Sequence, residues 1–295
     1  MTGEALPSVG FIGIGVMGGA MAGHLMDAGY KLRVHNRSAS KCRVLADRGA
    51  ELMASPGDVS AASDVVITMV GFPKDVEEIY LSPGGIVERA RVGALLIDMT
   101  TSSRELAAGI YEAARARGVS ACDAPVTGGD RGARDGTLSI LFGGDEADYE
   151  RALPLFRVMG KNIERFGPAG SGQTAKLANQ IIIAGTMLGV CEGLAYAEKS
   201  GLDAAALIEC VSSGAAGSWS LSNYGPRILK GDFAPGFFVK HFVKDMALAG
   251  ESAASAGLSL KGLDAALEQY RRLAESGGAE DGTQGLYKLY RGREA

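Results

Sequence analysis

Short apolar runs alternate with helical segments in the first part of the chain, and nearly everything after about residue 170 reads as helix. Residues 8–14, SVGFIGI, are rich in β-branched and aromatic side chains and predict a strand. They end in Gly13-Ile-Gly15-Val16-Met17-Gly18 and run into an apolar helical segment closed by Gly29. A second strand is predicted at 31–35. Residues 64–70 (DVVITMV) and 93–99 (GALLIDM) predict two more, the first followed by a helix from Lys74. Runs apolar on both faces belong to a parallel sheet covered by helices. A further strand delivers Thr127-Gly128-Gly129 into a loop, and another returns at 137–142. Residues 174–199 are apolar nearly all round, which predicts a helix of roughly 40 Å buried on most faces. Helices are also predicted at 203–212 and 261–276, and Lys240 and Lys244 share one helix face.

Composition narrows the function without changing this picture. With 46% hydrophobic and 22% charged residues, the chain is an ordinary globular protein long enough for two domains. A net charge of −4 provides no basic footprint for nucleic acid or an anionic membrane, so a small-molecule partner is expected. Cys42, Cys122, Cys191 and Cys210 have no CxxC spacing, so reduced buried thiols are expected, with no metal. Residues 1–7 lack the pattern of a secretion signal, and the apolar stretch at 181–191 is shorter than the roughly 20 residues of a membrane span. A cytoplasmic protein is the expectation.

The glycine turn carries the first chemistry. Gly13 permits a tight turn, Gly15 lets a pyrophosphate approach the backbone, and Gly18 lets the helix lie close to the strand. Such a motif between strand and helix predicts dinucleotide binding. Where an NAD-type site places a carboxylate, this chain has Asn36-Arg37-Ser38, a set suited to a 2′-phosphate, so NADP(H) is favoured over NAD(H). Val70 and Thr101, at the ends of later strands, are expected beside the cofactor, with Thr101 equally open to being a helix N-cap. Thr127, Gly128 and Gly129 form a cradle for a small carboxylate or simply a turn. After the breakers Gly167, Pro168, Gly170 and Gly172, Ser171 is a candidate N-cap, and Lys176 sits near a helix start, where the helix dipole favours a neutral amine. A solvated surface lysine is the other reading.

Four motifs, VGFIGIGVMG near the N-terminus, DAPVTGG at 123–129, GSGQTAKLANQ at 170–180 and KDMALA at 244–249, resemble the β-hydroxyacid dehydrogenase family over nearly the whole chain. The family includes 3-hydroxyisobutyrate dehydrogenases, tartronate semialdehyde reductases and glyoxylate and succinic semialdehyde reductases. The resemblance implies an α/β Rossmann-type N-terminal domain (1–168) and an all-α C-terminal domain (169–295), joined by a long interdomain helix. It also implies hydride transfer between nicotinamide and a short hydroxy acid or its aldehyde, and a homodimer or homotetramer. It makes Lys176 the catalytic lysine, Thr127, Gly128 and Gly129 substrate contacts, and Lys244 a cofactor contact. Asn179 and Gln180 are expected to orient substrate or lysine; Gln180 stands where many relatives have Asn, and Thr127 where many have Ser. Lys240 and Trp219 are candidates to shape the pocket. An imine reductase-like enzyme and a non-catalytic NADP-binding sensor are the alternatives, both weakened by the presence of Lys176.

Overall fold

A computed structural model of the chain describes residues 6–291; most of the segment at 1–7, discussed above for its lack of a secretion signal, lies outside the described residues. The chain divides into two compact units, Met1–Lys176 and Leu177–Ala295.

Unit 1 alternates strands and helices. In chain order these are β1 (Val9–Ile12), α1 (Val16–Asp27), β2 (Leu32–His35), α2 (Arg43–Ala46), β3 (Glu51–Leu52), α3 (Pro56–Ala62), β4 (Val65–Thr68), α4 (Pro73–Leu81), α5 (Ile86–Arg89), β5 (Leu95–Asp98), α6 (Arg104–Arg115) and β6 (Ser120–Asp123). There follow β7 (Val126–Thr127), α7 (Gly129–Arg134), β8 (Leu138–Gly143), α8 (Glu146–Met159) and β9 (Gly160–Gly167). The sheet order is β3-β2-β1-β4-β5-β6-β8-β7, with β9 also paired to β8. From β3 to β6 every pairing is parallel, whereas β8 runs antiparallel to β6 and β7. The apolar runs are explained by burial on both faces. Val9, Phe11, Val65, Ile67, Leu95 and Ile97 enter one core, and Ile12, Val66 and Leu96 enter the other with Tyr80 and Ile110. Because β2 and β4 flank β1 on opposite sides, the chain reverses its order across the sheet between β1 and β4, where α/β folds bind ligands.

Two elements depart from the sequence reading. Gly128-Gly129 opens the short helix α7 rather than an open loop. Strand β9 was not anticipated, because its alternately exposed residues GKNIERFG look like loop until they pair with β8.

The long helix α9 spans Ser171–Lys199 and follows the Rossmann-type sheet; the unit boundary falls within it, after Lys176. It begins at Ser171 itself, so Ser171 is its first helical residue and not the cap. Unit 2 continues with α10 (Ala204–Val211), α11 (Trp219–Leu229), α12 (Val239–Ser255) and α13 (Lys261–Glu275). Leu177, Ala184, Met187, Cys191 and Leu194 form the stripe of α9 that enters the unit 2 core, with Phe242, Met246 and Tyr270. The expectation of burial on most faces fails here. Only 39% of the most apolar 18-residue window of α9 is buried, and Ile182 and Tyr196 are 69% and 73% exposed. By length and composition alone, α9 could cross a membrane. Composition records how apolar a helix is, but not which of its faces finds a partner within the chain. Cys42, Cys122 and Cys191 are buried as expected, while Cys210 is exposed.

Candidate active site

The turn from β1 to α1 leaves room on one side and is filled on the other. Gly13 has φ +99°, and a Cβ there would lie 2.2 Å from the Met69 carbonyl oxygen. At Gly18 a Cβ would come within 2.0 Å of the Gly13 oxygen, so the helix packs directly on the turn. A Cβ on Gly15 would meet nothing within 4 Å. Gly15 is the N-cap of α1 and supplies no side-chain cap, so the positive end of this helix is presented through backbone alone. Its exposed Gly15 and Val16 and half-buried Met17 make the turn a cradle that fits a dinucleotide phosphate.

The loop after β2 is tied to that cradle. Asn36 Oδ1 accepts from Ile14 N at 2.9 Å and its Nδ2 donates to the Ser38 oxygen at 3.0 Å, so Asn36 shapes the loop. The Arg37 side chain is 92% exposed and lies 3.7 Å from Asp75. Val70 N donates to Thr100 Oγ1 at 3.0 Å, and Thr101 is half-buried beside it in sequence. The N-cap alternative for Thr101 is corrected: Ser103 caps α6, its hydroxyl accepting from Leu106 N at 3.1 Å.

At the other strand ends lies the lysine. Lys176 is buried, 7% exposed, which corrects the reading of a solvated surface lysine. The turn before it is pinned to the sheet by residues whose role was not legible. Asp123, at the end of β6, accepts from Gly170 N at 2.6 Å and Gln173 N at 2.7 Å. Burial raises its carboxyl to about 6, outweighing the backbone donors of Gly170, Gln173 and Asp123 itself, with Asp98 adding to the rise. Gln173, fully buried, accepts from Ser102 N and donates to the Thr100 oxygen, both at 2.8 Å. Asp98 accepts from Thr68 Oγ1 and Thr100 N, completing a polar layer at these strand ends. Thr127 is half-buried, with Gly128 exposed after it at φ +127° and Gly129 at +62°, backbone conformations open to glycine.

In unit 2, Gln180 is 1% exposed and uses both ends of its amide. Its Nε2 donates to Asp245 Oδ2 at 2.6 Å, and its Oε1 accepts from Asn179 Nδ2 at 2.7 Å. Lys244 Nζ lies 2.9 Å from Asp245 Oδ1 as an ion pair without hydrogen-bond geometry. Asp245 therefore joins α9 to α12, a role that only its place beside Lys244 hinted at. Lys240 Nζ donates to Glu280 at 2.6 Å and lies 5.1 Å above the Phe238 ring. Between the two lysines, burial and then their charges hold His241 below the usual imidazole range. Trp219, at the start of α11, is 59% exposed and meets Tyr224 edge-on.

Residues 8–167 match the family model of the NAD-binding domain of 6-phosphogluconate dehydrogenase. Residues 170–290 match the model described as NAD-binding of NADP-dependent 3-hydroxyisobutyrate dehydrogenase. The chain is 50% identical to a probable 3-hydroxyisobutyrate dehydrogenase-like protein of Arabidopsis thaliana, over 94% of this chain and 83% of that one. It is 36% identical to the NAD-dependent L-serine dehydrogenase of Pseudomonas aeruginosa, covering 97% and 98%. Among solved structures, 3-hydroxyisobutyrate dehydrogenase of Mycobacterium tuberculosis with L-serine superposes with a TM-score of 0.89 at 29% identity, over 97% of this chain and all of that one. With its glycine cradle at the β1/β4 reversal and both domain models matched in order, the chain belongs to the β-hydroxyacid dehydrogenase family of NAD(P)-dependent oxidoreductases.

Proposed function

We propose that the protein interconverts a short-chain 3-hydroxy acid and its semialdehyde with NADP(H), in the cytoplasm, using Lys176 as general acid and base. The observation that carries this is the burial of Lys176 one turn beyond a helix start anchored at the strand ends. When bound, the nicotinamide supplies or takes the hydride. The Lys176 ammonium gives its proton to the substrate oxygen during reduction, and the neutral amine takes it back during oxidation. Thr127 Oγ1 and the backbone at Gly128 and Gly129 hold the substrate carboxylate. Gln180 is buried with both ends of its amide engaged, while half-buried Asn179 keeps its Oδ1 beside its one bond to Gln180, so of the two amides Asn179 is the one assigned to substrate. Lys244, held by Asp245, serves the cofactor, and Lys240 shapes the substrate end.

The preference for NADP(H) is supported by exposed Arg37 and by the absence of a carboxylate at Asn36-Arg37-Ser38, although the P. aeruginosa relative is named for NAD. Homo-oligomerisation is supported by the exposed apolar side chains Ile182 and Tyr196. Light scattering at micromolar concentration checks this, a monomer being the refuting result.

The principal test is Lys176→Met assayed with L-serine, 3-hydroxyisobutyrate and small aldehyde acids against both cofactors. Turnover should fall by about three orders of magnitude while NADPH affinity is kept. Near wild-type kcat in that variant removes the lysine from the mechanism. For cofactor choice, Arg37→Asp should shift preference toward NADH by roughly tenfold or more; an unchanged ratio of kcat/KM values refutes the role given to Arg37.

A further inference from the structure

The first turn of α9 is held to the sheet at three points. Asp123, 2% exposed, accepts from Gly170 N just before the helix and from Gln173 N within its first turn, through separate carboxylate oxygens. The next contact is made by Gln173, which bridges Ser102 N and the Thr100 oxygen. Third, Gly172 lies directly on the strands: a Cβ there would stand 2.3 Å from the Leu141 oxygen and 2.8 Å from Asp123 Oδ2. Lys176 follows Gln173 by three residues, so the turn that bears the amine grows directly out of this clamp.

A neutral cap from Ser, Thr or Asn suffices for most helix starts. Burying a carboxylate instead carries a desolvation cost, which pushes the Asp123 pKa up to about 6. Its two charge-assisted hydrogen bonds gain geometric definition that a single hydroxyl acceptor lacks. Proton transfer to a substrate oxygen is unusually sensitive to such definition, since a displacement of about 1 Å lowers a rate by roughly a hundredfold.

We propose that Asp123 is a positioning residue for Lys176: by holding the Gly170 and Gln173 amides, its carboxylate fixes the first turn of α9 and with it the place at which the amine meets substrate. The proposal rests on the reading of Lys176 as acid and base.

Asp123→Asn keeps the shape and loses the charge and one acceptor; Asp123→Ala loses both acceptors. Single-turnover oxidation of NADPH by a saturating aldehyde acid should slow about tenfold in the first and about a hundredfold in the second. The dissociation constant for NADPH should stay within about twofold, and the solvent deuterium isotope effect on kcat should rise, because a displaced amine makes proton transfer more limiting. Gln173→Met, which removes only the neighbouring bridge, should show the same pattern more weakly and serves if the Asp123 variants do not fold. Rates per folded active site within twofold of wild type, or losses with an unchanged isotope effect, overturn the positioning role. Lys176→Met separates the two readings: if it retains turnover, the lysine assignment fails; if it is inactive while the clamp variants keep their rate, only the positioning role of Asp123 fails.

Discussion

Two helix starts in unit 1 use the same electrostatics for opposite ends. At α1 the N-cap is Gly15, without a side-chain cap and with open space where a Cβ would be. At α9 the corresponding place is taken by the Asp123 carboxylate, which lies 47 residues before Gly170 in the chain. Both helices carry partial positive charge on their first amides. One leaves it open to the outside, and the other directs it at an anion of the protein itself. In the proposed function, recognition of a cofactor phosphate requires space and unobstructed amides, whereas delivery of a proton by Lys176 requires a group that does not move. The contrast teaches that the occupant of a helix start, more than the start itself, separates a binding element from an anchoring one.

Making the first start resemble the second is the most severe test of this contrast. Gly15→Asp places a carboxylate where the phosphate is assigned, and at φ −88° with open surroundings the backbone accepts a side chain. NADPH affinity measured by fluorescence titration should fall about a hundredfold or more, equivalent to roughly 3 kcal/mol, with little change in Tm. Retained affinity would show that α1 is not the phosphate site.

The second start is probed through pH. The Asp123 carboxyl is raised from 3.8 to about 6 on folding, so its protonated form is favoured in the native state. Its contribution to stability is fully present below about pH 4 and is lost as pH rises through 6. The stability of wild type relative to Asp123→Asn, from urea unfolding, should therefore decline between pH 4 and pH 7 by on the order of 3 kcal/mol. A pH-independent difference refutes the assignment of a strained buried carboxylate.

Smaller effects sharpen the comparison. Gly18→Ala forces a methyl to within 2.0 Å of the Gly13 oxygen and should destabilise unit 1 by about 1–3 kcal/mol, read as a lower Tm with weaker cofactor binding. An unchanged Tm would mean that helix and turn separate easily. Arg37→Met removes a charge that is 92% exposed and leaves the Asp75 carboxylate on Phe72 N at the start of α4, so stability should change by less than about 1 kcal/mol. A larger loss would give the Arg37–Asp75 pair a structural role that its exposure denies it.

How far this was legible follows from what each residue interacts with. Strands β1, β4 and β5 were legible because burial on both faces writes a continuous apolar run. Strand β9 was not, because its partner β8, rather than its own residues, makes it a strand. Gly13, Gly15 and Gly18 could be assigned from their spacing between one strand and one helix, although the Met69 oxygen that crowds Gly13 came only from the fold. Asp123, Gln173 and Asp245 lie within the quoted motifs, but no local feature marks what they bind. They bond to backbone or side chains 47 to 73 residues distant in the chain, and spacing holds no record of such pairs. Gln180 was noticed as a departure, yet its attachment to Asp245 came only from the fold.

The sequence by itself determined the alternation of strand and helix and the dinucleotide cradle, because these depend on periodicity and on residues close together in the chain; Lys176 was singled out as the catalytic lysine only by the resemblance of its motif to the family. Tertiary structure alone decided that Lys176 is buried, that a carboxylate from β6 anchors its helix, and which faces of α9 are covered. Those outcomes depend on which distant groups desolvate one another, and burial is a property of the folded neighbourhood rather than of any stretch of residues.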